Sequence, residues 1–185
     1  METMVKGIGC ESNLTIDGLI KAACRGGWPE SVLINDINSG ILIARDYFEQ
    51  IYEEDMYHVD AVKSNKKTMH AILCSYGRNL ATIAKNSSII ADVSATNSIS
   101  DVTFADYMDV LERLYIIEDM NGWCPAIRSA TAMRSGRKRM YVDPSIAVAS
   151  ESVPVYFLMS ALPFRSSIMV NCVKSLYRHG LCKLA

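Results

Sequence analysis

Thr103-Phe104-Ala105-Asp106-Tyr107-Met108-Asp109-Val110-Leu111-Glu112-Arg113-Leu114-Tyr115-Ile116-Ile117-Glu118 is the stretch on which the reading of this chain turns. Phe104, Tyr107, Met108, Leu111, Leu114 and Tyr115 recur at three- and four-residue steps, the period of an amphipathic helix. Thr103 and Asp106 resemble a capping box with Asp in place of the usual Glu or Gln, so the helix is expected to start there. From Leu114 to Glu118 the composition becomes β-branched and aromatic, which favours a strand. Asn121-Gly122 then signals a turn, and Arg139–Val142 is a second short strand candidate.

Working upstream, Lys66 to about Lys85 carries a second helical period in Met69, Ile72, Leu73, Tyr76, Leu80 and Ile83. Gly77 weakens this helix without breaking it. A short helix from roughly Ser88 to Ser94 follows. Helix, helix, helix, strand, long basic loop, strand is the order of a winged helix-turn-helix, and the same periodicity serves a helical bundle with a hairpin equally well. Nearer the start, Thr15 caps a helix that places Ile16, Leu19, Ile20 and Ala23 on one face and stops at Gly26-Gly27 before Trp28-Pro29. Asp36 caps the next, with Ile37, Ile41, Ala44, Phe48 and Ile51 in step. Its end is expected to fray at Glu53-Glu54-Asp55, where the helix dipole disfavours negative charge. Downstream, Asp143 as cap and Pro144 in the first turn start a last helix through Ala149.

Composition narrows the class. Half of the 185 residues are apolar and 21% are charged, as in soluble globular proteins, which argues against wholesale disorder. The net charge of −1 hides a gradient: residues 1–60 sum to −7, residues 61–119 to −1 and residues 120–185 to +7. Either the two ends attract each other or neighbouring domains, or the basic end meets nucleic acid. Six scattered cysteines with no C-x-x-C pair and no secretory signal suggest reduced thiols in a cytoplasm. The most apolar stretch, Val153–Phe164, is too short to span a bilayer and holds two prolines, so no membrane is expected.

Four strings in order carry a resemblance: Ala22-Ala23-Cys24-Arg25-Gly26-Gly27-Trp28-Pro29-Glu30-Ser31, Ser75-Tyr76-Gly77-Arg78-Asn79, Leu111–Asp119, and Lys138-Arg139-Met140-Tyr141-Val142-Asp143-Pro144. Together, over about Asn13 to Ala149, the chain resembles prokaryotic AAA-type ATPases that carry a conserved domain of unknown function after the ATPase core. The resemblance implies a mostly α fold, with a helical lid-like segment at 1–60. A winged helix-turn-helix with a short β-hairpin wing would follow at 61–150, and then a divergent tail at 151–185. Intact members look like a P-loop ATPase that binds ATP, followed by a lid, a winged helix and a nuclease-like C-terminal domain. This chain departs from them in two ways. It has no G-x-x-x-x-G-K-[ST] string, whose backbone amides and lysine hold the phosphates, so no ATP cofactor is expected for the chain alone. Residues 152–185 contain no Asp or Glu, so they cannot supply the carboxylates of a metal-dependent nuclease; a truncated or frame-disrupted reading frame would account for the change.

Two candidate sites emerge. By the resemblance, Gly26, Gly27 and Pro29 form the lid turn that touches the adenine side of a nucleotide; the bland alternative is a helix stop with Trp28 packed as core. Arg128, Arg134, Arg137, Lys138 and Arg139 lie in a stretch free of acids from Met120 to Val142, suited to DNA phosphates, to a solvated loop or to an acidic neighbour domain. The helix that would read bases argues against DNA, because Asp106, Asp109 and Glu112 face outward with only Arg113 opposing them. Arg78 suits a surface or capping role, or a reach toward a neighbouring subunit's nucleotide. His58 and His70 have no partnered Ser or Cys motif and suggest no nucleophilic catalysis. The expected function is therefore a non-catalytic accessory fragment of an AAA-type ATPase, docking on an upstream ATPase domain or another protein. The alternative is a winged-helix nucleic-acid-binding module using a basic wing.

Overall fold

In the computed structural model, the described residues are 13, 15–34, 36–59, 65–121 and 136–151. Most helices start where a side chain can accept a backbone N–H that has no partner inside the helix. Thr15 caps α1 (Ile16–Arg25) by accepting from Gly18 N–H at 3.1 Å. Pro29 occupies the first turn of α2 (Pro29–Leu33), where its missing donor is harmless. Asp36 caps α3 (Ile37–Gln50), accepting from Ser39 N–H at 2.9 Å. A π-helical turn, Ile51–Asp55, then leads into the short α4 (Met56–Val59). Asn65 caps α5 (Lys66–Arg78). α6 (Asn86–Ser94) has Lys85 at its cap and no side-chain cap bond. Ser100 caps α7 (Asp101–Arg113), and Asp143 caps α8 (Pro144–Ser150).

Three sequence expectations need correction. The acidic run Glu53-Glu54-Asp55 does not end the helix, because Ile51 and Met56 on either side are wholly buried and hold the turn in place. α5 stops at Arg78 rather than near Lys85. There Asn79 Nδ2 donates to Ser75 O at 2.9 Å, Ala81 takes a left-handed φ of 58°, and Ala81 N–H leaves the helix for Arg139 O at 2.7 Å. α7 begins a turn earlier than Thr103, because Ser100 Oγ accepts from Thr103 N–H at 3.1 Å and makes Thr103 the third helical residue.

The mostly α fold class holds, and the β-hairpin wing does not. Among the described residues no strand forms, and β pairing amounts to two isolated antiparallel bridges, Ile117 to Tyr141 and Met120 to Lys138. The two bridges share one register, yet the ladder between them is broken because one of its donors is spent elsewhere. Glu118 N–H reaches Met140 O at 2.9 Å, but Met140 N–H, which would return the bond, donates to the Tyr76 hydroxyl at 3.3 Å. Arg139 N–H, on the outer side of the pairing, donates to Thr82 O at 2.9 Å. The loop expected to tip the wing, 122–135, lies outside the described residues, as does the tail from 152 onward.

The centre of the molecule is α8. All seven of its residues are buried, and it packs on α1, α3 and α5. A helix buried all round must satisfy its polar groups locally. Ser150 Oγ donates to Ala147 O at 2.8 Å, and Ser145 Oγ accepts from Trp28 Nε1 at 3.0 Å. Gly77 lets α5 come close, since a Cβ there would lie 2.5 Å from Ser150 Oγ. Around this strut one hydrophobic cluster runs from Ile20, Cys24 and Phe48 through Ile72, Tyr76 and Leu111 to Tyr141 and Ile146. Residues on both sides of position 60 therefore share a core. No helix among the described residues is long and apolar enough to cross a membrane.

Candidate functional site

The glycine turn sits against the start of α8. Gly26 is buried, with φ of 78°, and closes α1 by donating its N–H to Ala22 O at 2.9 Å. A side chain there would collide with Ser145 Oγ at 2.5 Å and Asp143 Oδ1 at 2.7 Å. Gly27 N–H donates to Asp143 Oδ2 at 2.8 Å, and the other oxygen of that carboxylate caps α8 by accepting from Ser145 N–H at 2.8 Å. Trp28 packs against Tyr47 with ring centroids 4.1 Å apart and planes tilted by 40°, and Pro29 starts α2. The amides of both glycines are thus engaged within the chain, by Ala22 and Asp143.

The basic set divides. Arg128 and Arg134 lie outside the described residues. Arg137 and Lys138 are exposed, Lys138 at a backbone bridge to Met120. Arg139 is not part of that surface, being only 8% exposed. Its Nη1 meets Asp119 Oδ2 at 2.5 Å, its Nε donates to Ala84 O at 3.1 Å, and its Nη2 donates to Asn86 Oδ1. The Tyr76 hydroxyl donates to the other Asp119 oxygen. Burial, then the Asp119 charge, pushes the Tyr76 phenol well above its usual range. Tyr141, wholly buried, is raised by burial first and then by its neighbour Tyr76, and it donates to Leu73 O at 2.6 Å. Sequence reasoning missed this polar knot. Its one signal was a tyrosine in the core register of α5, with Asp119 and Arg139 flanking the two apolar segments that pair.

A groove of about 550 Å³ runs beside α5, lined by Tyr52, His70, Cys74, Arg78 and Asp92 among others. His70 and Cys74 face each other one turn apart, with Sγ 3.7 Å from Nε2. Burial, then the nearby Glu151 charge, pushes the Cys74 thiol up, and its Sγ donates to Ser150 O at 3.3 Å. A protonated thiol bonded to a carbonyl is a poor nucleophile. Arg78 lies 3.6 Å from Asp92, and Asn79 caps the helix end. Among the described residues no three His, Cys, Asp or Glu side chains gather to hold a metal.

The outer side of α7 is acidic. Asp101, Asp106, Asp109 and Glu112 are exposed. Arg113, the one cation on this helix, has Nη1 3.9 Å from Asp109 and Nη2 donating to Val59 O at 3.3 Å.

With that geometry in place, comparison with known proteins adds one finding: residues 16–154 match a family described as Domain of unknown function (DUF8612). No curated protein and no solved structure matches the chain.

Proposed function

The chain belongs to that family of unknown function, and on that premise we propose that it is a non-catalytic docking module that meets a protein partner rather than reading DNA. One observation carries this reading: the outward side of α7 presents four carboxylates, and its single arginine is tied to one of them and to Val59 O. In a winged-helix order this helix would enter the groove, where phosphates repel carboxylates. The winged-helix order itself is part of the proposal. It is supported by the succession α5, α6, α7 and by the backbone pairing of Arg139 with Ala81 and Thr82 beside the two bridges.

Descent from a prokaryotic AAA-type ATPase, with the lid and winged helix kept, is likewise proposed; the four strings quoted above support it. The partner would then be an ATPase domain or a protein bound to one, and the setting cytoplasmic. With both glycine amides engaged inside the chain and no phosphate-binding loop in the sequence, the module is expected neither to bind ATP tightly nor to hydrolyse it.

A second reading, a nucleic-acid binder acting through the basic residues at the Met120 to Lys138 bridge, is favoured by the exposure of Arg137 and Lys138. Fluorescence anisotropy with a duplex DNA at low and at physiological salt separates the two. The docking reading expects no saturable binding at either salt. Binding that falls steeply with salt, and is lost in Arg137→Ala/Lys138→Ala, would replace it with the second reading.

A further inference from the structure

α7 ends in a turn of the Schellman kind: Ile116 N–H donates to Leu111 O and Tyr115 N–H to Glu112 O, both at 3.0 Å. Tyr115 fills the left-handed position of that turn, with φ of 55°. Glycine is the usual residue there because it has no Cβ to clash. Tyr115 gains no core burial in return, since it is 82% exposed. At the other end of the helix Val102 is 72% exposed. Between these apolar side chains lie the exposed carboxylates of Asp106, Asp109 and Glu112. A concavity of about 330 Å³ opens beside the Tyr115 ring, walled in part by Glu112 and Glu118 and by the exposed Arg137. No described element covers this face.

We propose that the outer face of α7, ending at Tyr115, docks a cationic segment of a partner protein, one that alternates arginine or lysine with apolar residues. This step rests on the docking reading above. Charge complementarity selects the occupant. A nucleic acid or an anionic lipid surface would be repelled by the carboxylates. A neutral apolar segment would strip water from them without supplying a partner. A guanidinium laid on the Tyr115 ring, with Glu112 and Glu118 to either side, satisfies both the aromatic face and the acids. Arg113 offsets Asp109 and Arg137 stands at the concavity, yet Asp101, Asp106, Glu112 and Glu118 still leave the face acidic. The tyrosine is then the anchor, and the row of acids sets the approach and its register.

The test uses the full chain, isotopically labelled, titrated with a synthetic peptide of alternating Arg and Leu and with its Glu-for-Arg counterpart. The expected result is amide shift changes gathered along α7 and residues 114–118, with no response to the acidic peptide. Tyr115→Gly is expected to weaken binding about tenfold while the melting temperature holds or rises, so the loss is not unfolding. Glu112→Gln/Glu118→Gln is expected to weaken it too and to flatten the salt dependence. A peptide that binds wild type and Tyr115→Gly alike, or that shifts amides elsewhere, overturns this face and leaves the docking reading standing. No peptide binding at all overturns the face as well. Duplex DNA binding that needs Arg137 and Lys138, with the peptide inert, overturns the docking reading itself.

Discussion

Replacing Arg139 by Met tests whether this arginine belongs to the interior. Its side chain is 10% exposed and that of Asp119 is 5% exposed. Met keeps much of the stem volume and removes three bonds: to Asp119, to Ala84 O and to Asn86 Oδ1. The Asp119 carboxylate would keep the Tyr76 hydroxyl as its partner and lose its counter-charge. Stranding one member of a buried ion pair costs about 3–5 kcal/mol, a large share of the roughly 5–15 kcal/mol that holds a domain folded. Urea unfolding followed by circular dichroism should therefore show a much lower midpoint at unchanged slope. Asp119→Asn added to Arg139→Met removes the stranded charge and keeps an acceptor for Tyr76, so it should recover at least about 1 kcal/mol. A single variant that loses less than about 1 kcal/mol, or a double variant with no recovery, would show that the pair is solvated and the burial argument mistaken.

Alkaline pH should expose the two raised phenols. Tyr76 and Tyr141 stay protonated in the folded chain above the usual value near 10, while the unfolded chain ionises there. Their contribution is present in full below pH of about 10 and is lost as pH climbs beyond it; Tyr76→Phe should flatten that fall in a stability-against-pH series. Gly26→Ala meets a left-handed φ and contacts of 2.5–2.8 Å with Ser145, Asp143 and Trp28, so it should destabilise by about 2–4 kcal/mol; a neutral result in thermal melts would contradict the close approach. Cys24 is wholly buried and its thiol is pushed up to about 11, so mass-spectrometric mapping at neutral pH should find it unlabelled by a maleimide until denaturant is added. Prompt labelling in the native state would mean that α1 opens.

Much of the local structure could be read along the chain. Thr15, Asp36, and Asp143 with Pro144 cap the helices expected of them, and the apolar positions of α1, α3, α5 and α7 are largely those the period marks. Caps and periodicity act within one or two turns, so the order of residues is enough to express them. Ile83 and Tyr115 show the limit. Both continue an apolar period on paper, and both are exposed because the helix carrying them has already ended.

The candidate sites depended on partners far along the chain. Arg139 reads as one of five cations in an acid-free run, and only the bridges from Ile117 to Tyr141 and from Met120 to Lys138 bring Asp119 against it. Gly27 finds its acceptor 116 residues away in Asp143. α8 reads as an ordinary terminal helix and becomes the strut on which α1, α3 and α5 close. The sequence by itself determined where α1, α3 and α8 start and which side of the long helices is apolar. Tertiary structure decided which charged groups are interior and which amides are already spent, because those depend on distances that chain order does not encode.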